Sequence, residues 1–322
     1  MTDTALVGIE AIGLAAARIA GVALQTPVVD CVLPDRDGRL LVKAESLQPV
    51  GSFKLRGAFN KIASLSAEQR TRGVVASSSG NHAQAVAYVA RRFGIPATIV
   101  IPQGAAEIKI AATQRYGAEV VLVPPAERDT RPFELAAEHG YALVPPYDDP
   151  DIIAGTGTIG AEIAADVPDV DMIVVPVSGG GLISGIATAI KALCPRARVI
   201  GVEPELAADA VESFRRGQRV EWTPEQTFRT AADGLRTTSV GELPWQHIRR
   251  YVDEMVTVSE DQIRDAIRTL VRSARLVAEP SGAVATAAYL AHPELSDRAE
   301  TTVAVVSGGN TDPALFAEIL RD

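Results

Sequence analysis

The stretch Met172–Leu193, MIVVPVSGGGLISGIATAIKAL, decides how the chain folds. From Met172 to Ile190 it carries no charge and approaches the length of a membrane span. Pro176 and Gly179-Gly180-Gly181 divide it, however. It therefore reads as a buried strand, a glycine loop and a helix from Ile183 to Leu193. The same order recurs on either side. Val74 to Ala76 precedes a helical stretch over 83–93, ATIVI at 97–101 is a strand, 108–116 is helical, and EVVLV at 119–123 is a strand. VIGV at 199–202 and TVAVV at 302–306 are further strands. Short β-branched runs alternating with longer Ala-rich runs imply parallel sheets with helices on both faces, an α/β fold.

A length of 322 residues suffices for two domains with their own cores. The net charge of -9, without any Lys/Arg block, argues against a nucleic-acid partner. Cys31 and Cys194, the only cysteines, lack metal spacing and suit a reducing cytosol. The amino-terminal MTDTALVGIEAIG, with Asp3 and Glu10, has no basic region before an apolar core, so it does not read as a signal peptide. The expected location is the cytoplasm, with no membrane contact.

Ligands of parallel sheets bind where strands run into loops at their carboxyl ends. Three such loops stand out: SSSGNH at 77–82, SGGGL at 178–182 and SGGN at 307–310. The first can cap a helix or hold a carboxylate on its amides. The second lets the backbone approach an anion closely, and a phosphate is its natural occupant. It is neither a dinucleotide fingerprint nor a P-loop. Lys54 lies in GSFKLRGA, 51–58, between Phe53 and Leu55. Alone it reads as a snorkelling lysine at a helix start. The functional alternative is a desolvated amine, whose lowered pKa makes it a nucleophile toward a carbonyl.

In this order the motifs resemble the serine/threonine dehydratase and serine racemase family, the fold type II pyridoxal-phosphate enzymes. The resemblance covers nearly the whole chain and implies two open twisted parallel-sheet domains with the cofactor in the cleft between them. Residues 1–65 and 147–322 are expected to form the large cofactor domain and 66–146 the small substrate-loop domain. It implies that Lys54 bonds covalently to pyridoxal phosphate and that Phe53 packs on the ring. Asn81 would contact the ring hydroxyl, Ser178, Gly179, Gly180, Gly181 and Leu182 the phosphate, and Ser307 the ring nitrogen. The family often has glycine where Ser178 stands, but a hydroxyl can still bond a phosphate. Ser78, Ser79, Asn81 and His82 lie in the segment that binds the substrate carboxylate.

The implied activity is a dehydratase (ammonia-lyase) acting on L-serine, L-threonine or threo-3-hydroxyaspartate, with Lys54 as α-proton base. In the racemases of this family the serine matching Ser79 is the acid/base on the face opposite the lysine, so an amino-acid racemase with eliminase side activity is the alternative. A cysteine-synthase type of β-replacement fits the motifs less well, and the glycine loops alone would also allow a non-catalytic metabolite-binding module. Glu203, Ala207 and Asp209, read alone as a solvated face, resemble the divalent-cation site of the racemase-like branch, suited to Mg²⁺, Mn²⁺ or Ca²⁺. Arg128 and Arg131 are candidates to meet a second substrate carboxylate. The family likeness also suggests a homodimer.

Overall fold

The computed structural model describes residues 6–34, 38–296 and 299–321. Asp3, part of the signal-peptide reading, lies outside the described residues. Among the described residues ten strands form two sheets: β1 (Val28–Asp30), β2 (Arg39–Ala44), β3 (Val74–Ser77), β4 (Ala97–Pro102), β5 (Glu119–Val123), β6 (Ala142–Leu143), β7 (Met172–Pro176), β8 (Arg198–Pro204), β9 (Glu254–Val258) and β10 (Thr301–Val306). Six are ordered β1-β2-β10-β7-β8-β9 and four β5-β4-β3-β6. All pairs are parallel except β1 with β2, which departs from the purely parallel expectation. β1 is joined to β2 by a connection too short for a parallel crossover, so the two pair antiparallel.

Strand side chains alternate between faces, and the cores record it. Val42, Val174 and Ala304 enter one cluster with Ile263, Val284 and Ala288. Their neighbours Leu41, Ile173 and Val303 enter another with Ile159, Ile183 and Ile186. Both faces of the six-stranded sheet are therefore covered by helices, as expected. In the smaller sheet Val74, Ala76 and Ile99 pack with Val86 and with Leu55 and Phe59 of the helix Lys54–Ser64.

Met172–Leu193 divides into β7, the glycine loop and the helix Gly181–Leu193, and among the described residues no helix is long and apolar enough to cross a membrane. The helix Pro150–Asp166 sets the spacing around the future site. A Cβ at Gly155 would fall 2.7 Å from Arg56 O, and one at Gly185 would fall 2.4 Å from Gly157 N. Small residues thus let this helix touch both the Lys54 helix and the glycine-loop helix backbone to backbone.

Candidate active site

Lys54 is the first residue of its helix, and two backbone bonds fix the approach to it. Phe53 N–H donates to Ser307 O at 3.0 Å and Gly309 N–H to Gly51 O at 2.9 Å, so the lysine segment is strapped to the SGGN loop after β10. The Lys54 Nζ donates to Pro146 O at 2.7 Å and lies 5.0 Å from the Phe53 ring centroid. It opens into a narrow cavity lined by Phe53, His82, Pro146, Gly181 and Leu182. Burial disfavours the charged amine and lowers its pKa to about 8.

Beneath the lysine is a set of charges. Arg56 is wholly buried and meets Glu45 twice, Nε to Oε2 at 2.9 Å and Nη2 to Oε1 at 2.8 Å. It also meets Glu162, with Nη1 to Oε1 at 2.6 Å and Nη2 to Oε2 at 2.8 Å. The buried Lys43 of β2 closes the group on Glu162 at 2.7 Å. Burial pushes Glu45 up, but Arg56, with Thr26 and Lys43 behind it, holds its carboxyl below the ordinary range. These forked bonds anchor the first turn of the Lys54 helix to two other segments.

The substrate-type loop follows β3. Ser78 Oγ accepts from Gly80 N–H at 3.2 Å, and the helix begins at Asn81, two residues before the predicted Ala83. Ser79 is half-buried and has no protein hydrogen bond among the described residues. His82 is buried, with Nε2 2.8 Å from Val144 O. Burial and then the Lys54 charge depress its pKa to about 3. A carbonyl only accepts, so Nε2 carries the proton and Nδ1 is left as an acceptor.

In the glycine loop, Gly180 has φ of +87° and the helix starts at Gly181. The first N–H groups of that helix have no carbonyl in their own helix to donate to. A Cβ at Gly179 would fall 2.3 Å from the Tyr147 ring, so only bare backbone fits there. Ser178 Oγ lies 2.8 Å from Thr237 Oγ1. A loop of free amides and hydroxyls at a helix start, with a low-pKa lysine in the adjoining cavity, fits a phosphorylated aldehyde. Ser307 is buried, and its hydroxyl is 3.5 Å from Ser281 O.

The structure therefore gathers Phe53, Lys54, His82, Gly181 and Leu182 around one cavity, while the SGGN loop bonds Asn81 through Asn310 and the Phe53 N–H through Ser307. Glu203, Ala207 and Asp209 form a separate buried group. Glu203 Oε2 accepts from Val211 N–H at 2.8 Å, but Glu203 Oε1 and both Asp209 oxygens have no hydrogen-bond partner. Burial and then the Asp209 charge push Glu203 well up, and burial brings Asp209 to about 7. Among the described residues no three His, Cys, Asp or Glu side chains converge. Arg131 is engaged by Glu134 at 2.9 Å and Glu138 at 3.0 Å, whereas among the described residues the acid nearest Arg128 is Asp129 at 3.9 Å. Sequence reasoning assigned no role to Tyr147, Thr237 or Glu279. Of these only Glu279 carried a signal, because Glu279-Pro280-Ser281, like Ala232-Asp233-Gly234, resembles a pocket-lining segment of the family, though no step was assigned to it.

The sequence profile of a family described as "Pyridoxal-phosphate dependent enzyme" matches residues 19–308. The chain belongs to that family. Among members of this pyridoxal-phosphate-dependent family it is similar to the L-threonine ammonia-lyase of Thermotoga maritima, 47% identical over 288 residues, covering 88% of this chain and 70% of the relative. It is also similar to the L-threo-3-hydroxyaspartate ammonia-lyase of Saccharomyces cerevisiae, 41% identical and covering 94% and 93%. The solved structure of maize serine racemase superposes with a TM-score of 0.91 at 35% identity, covering 98% of each chain. Pyridoxal-phosphate enzymes named for elimination and for racemization thus both resemble it.

Proposed function

We propose that the chain is an ammonia-lyase that dehydrates a small 3-hydroxy amino acid, L-serine, L-threonine or threo-3-hydroxyaspartate, to a 2-oxo acid and ammonia. The observation that carries the reading is Lys54, an amine brought to about 8 by burial, in one cavity with His82 and the head of the glycine-loop helix. Pyridoxal phosphate, when bound there, supplies an electron sink that no side chain offers. Lys54 holds that group and, once its amine is released, takes the substrate α-proton as general base. Ser178, Gly179, Gly180, Gly181 and Leu182 hold the phosphate, Phe53 packs on the ring, and Asn81 donates to the ring hydroxyl. Ser307 is assigned the ring nitrogen; being uncharged, it tempers electron demand there and favours loss of a β-leaving group. Ser78, Ser79, Asn81 and His82 take the substrate carboxylate. Because His82 is neutral, the helix amides and hydroxyls hold that carboxylate, not a cation.

The test is a substrate panel scored for 2-oxo acid and ammonia with added cofactor. No 2-oxo acid from any of these amino acids would sink the reading. The racemase reading is favoured by one observation, the free hydroxyl of Ser79. Ser79→Ala then abolishes racemization and leaves elimination of the L-isomer largely intact, which a chiral product assay separates.

The partnerless oxygens of Glu203 and Asp209 support a divalent cation held by these carboxylates with Ala207. Such an ion would neutralise two buried acids, and its removal by chelation should lower the melting temperature. The two sheets are read as two domains, 66–146 and the remainder, with Lys54 at their seam. A homodimer is proposed from the family likeness and from the exposed apolar side chains of Leu24 and Leu47, neighbours through Gln48. The free thiols Cys31 and Cys194 suit a cytoplasmic location.

A further inference from the structure

Glu279 is buried at the start of the helix Pro280–Ala291, and neither the motifs nor the chemistry above uses it. Its Oε1 accepts from Asn81 Nδ2 at 2.6 Å, across 198 positions of sequence. The bond passes directly over the SGGN loop. A Cβ at Gly308 would fall 2.3 Å from Glu279 Oε1 and 3.2 Å from Asn81 Nδ2. The glycine at 308 is therefore the space through which the two side chains meet.

The orientation of the Asn81 amide follows from a chain of donors and acceptors. Val50 O is a carbonyl and can only accept. It receives Asn310 Nδ2 at 2.8 Å, which fixes the Asn310 amide. The same Asn310 nitrogen donates to Asn81 Oδ1 at 2.8 Å, which fixes Asn81 in turn. A flipped Asn81 would set its NH₂ against the NH₂ of Asn310. With the carbonyl taken by Asn310 and one N–H by Glu279, a single N–H of Asn81 is left.

We propose that Glu279 is a positioning residue of the active site, holding the Asn81 amide so that its remaining N–H is presented to the cofactor ring. The proposal rests on the reading of Asn81 as a ring contact. Glu279 acts here as a neutral acid. Burial and then the charge of Asp233 bring its carboxyl up to about 8, against the hydrogen bond from Asn81, the charge of Lys109 and the backbone N–H of Asn310. Lys109 and Asp233 are themselves paired, and of the two Asp233 acts the more strongly on Glu279. An ionised carboxylate in this place would lack a cation of its own and be costly to bury.

The experiment compares Glu279→Gln, Glu279→Ala and Asn81→Ala, each as full-length protein, with and without pyridoxal phosphate. The readouts are cofactor dissociation, the absorbance maximum across pH 6 to 9, and melting of the cofactor-free protein. Gln keeps the shape and the carbonyl acceptor of a neutral acid. E279Q is expected to retain the cofactor and its absorbance maximum but to lose the absorbance change near pH 8. E279A should weaken retention about ten- to a hundredfold and move the maximum. Without cofactor, the melting temperature of E279Q should rise relative to the parent as pH increases from about 5 to 8, because only the parent must keep a buried acid protonated. If E279A retains the cofactor and its spectrum like the parent, or E279Q is as damaged as E279A, the proposal is overturned. If Asn81→Ala changes neither retention nor spectrum, the reading of Asn81 fails instead.

Discussion

Arg56 and Glu45 form a two-bonded pair from which water is wholly excluded, two residues beyond the lysine that the chemistry needs. Removing either partner leaves the other charge buried. Arg56→Ala or Glu45→Ala is expected to cost about 3–5 kcal/mol in urea unfolding. Replacing both, Arg56→Met with Glu45→Leu, should cost less than the sum of the single changes. Additive losses would show that the pair does not act as a unit.

Lys54 should be distinguishable from every surface lysine by its titration. The amine reacts only when neutral, and Lys54 becomes neutral above about 8. In cofactor-free protein, labelling by a small aldehyde with borohydride, followed by peptide mass spectrometry, should reach half its maximum near pH 8 at Lys54. Exposed lysines should reach it near about 10.4. An equal midpoint at Lys54 would mean that the cavity does not desolvate it.

His82 should make the fold acid-sensitive. The unfolded chain takes up a proton at this ring as pH falls below 6.5, whereas the folded protein does so only near 3. The unfolded state binds more protons in that window, so the contribution of His82 is complete above 6.5 and is lost as pH falls toward 3. Between pH 7 and 5 the parent should lose up to about 2 kcal/mol more than His82→Gln in urea melts. Parallel losses in the two proteins would contradict a buried neutral ring.

The α/β alternation was legible because β3, β4, β5, β7, β8 and β10 are short apolar runs, each set off from a helix-like run. β2 was not, because RLLVKA places a lysine in a strand whose burial pattern is almost continuous. Lys43 is tolerable there because the Thr26 carbonyl and, far along the chain, Glu162 both reach it. β6 is two residues long and β9 mixes Glu254 and Thr257 among its apolar positions, so neither gives a periodic signal. Lys54, the glycine loop and the SGGN loop could be named from order and residue type. The Asn81–Glu279 bond could not, since nothing local to either residue points to the other. Arg56 was quoted within its motif but passed over, because an arginine with no exposed atoms is intelligible only once both of its carboxylates are located.

A ribosome delivers Lys54 long before it delivers Ser307. β10 lies between β2 and β7, so until it is made the six-stranded sheet exists only as two unjoined halves. The carbonyl that receives the Phe53 N–H arrives at the same late moment. Only as β10 slots between its neighbours does that strap close, so the segment that carries the lysine is tied to the large sheet last of all.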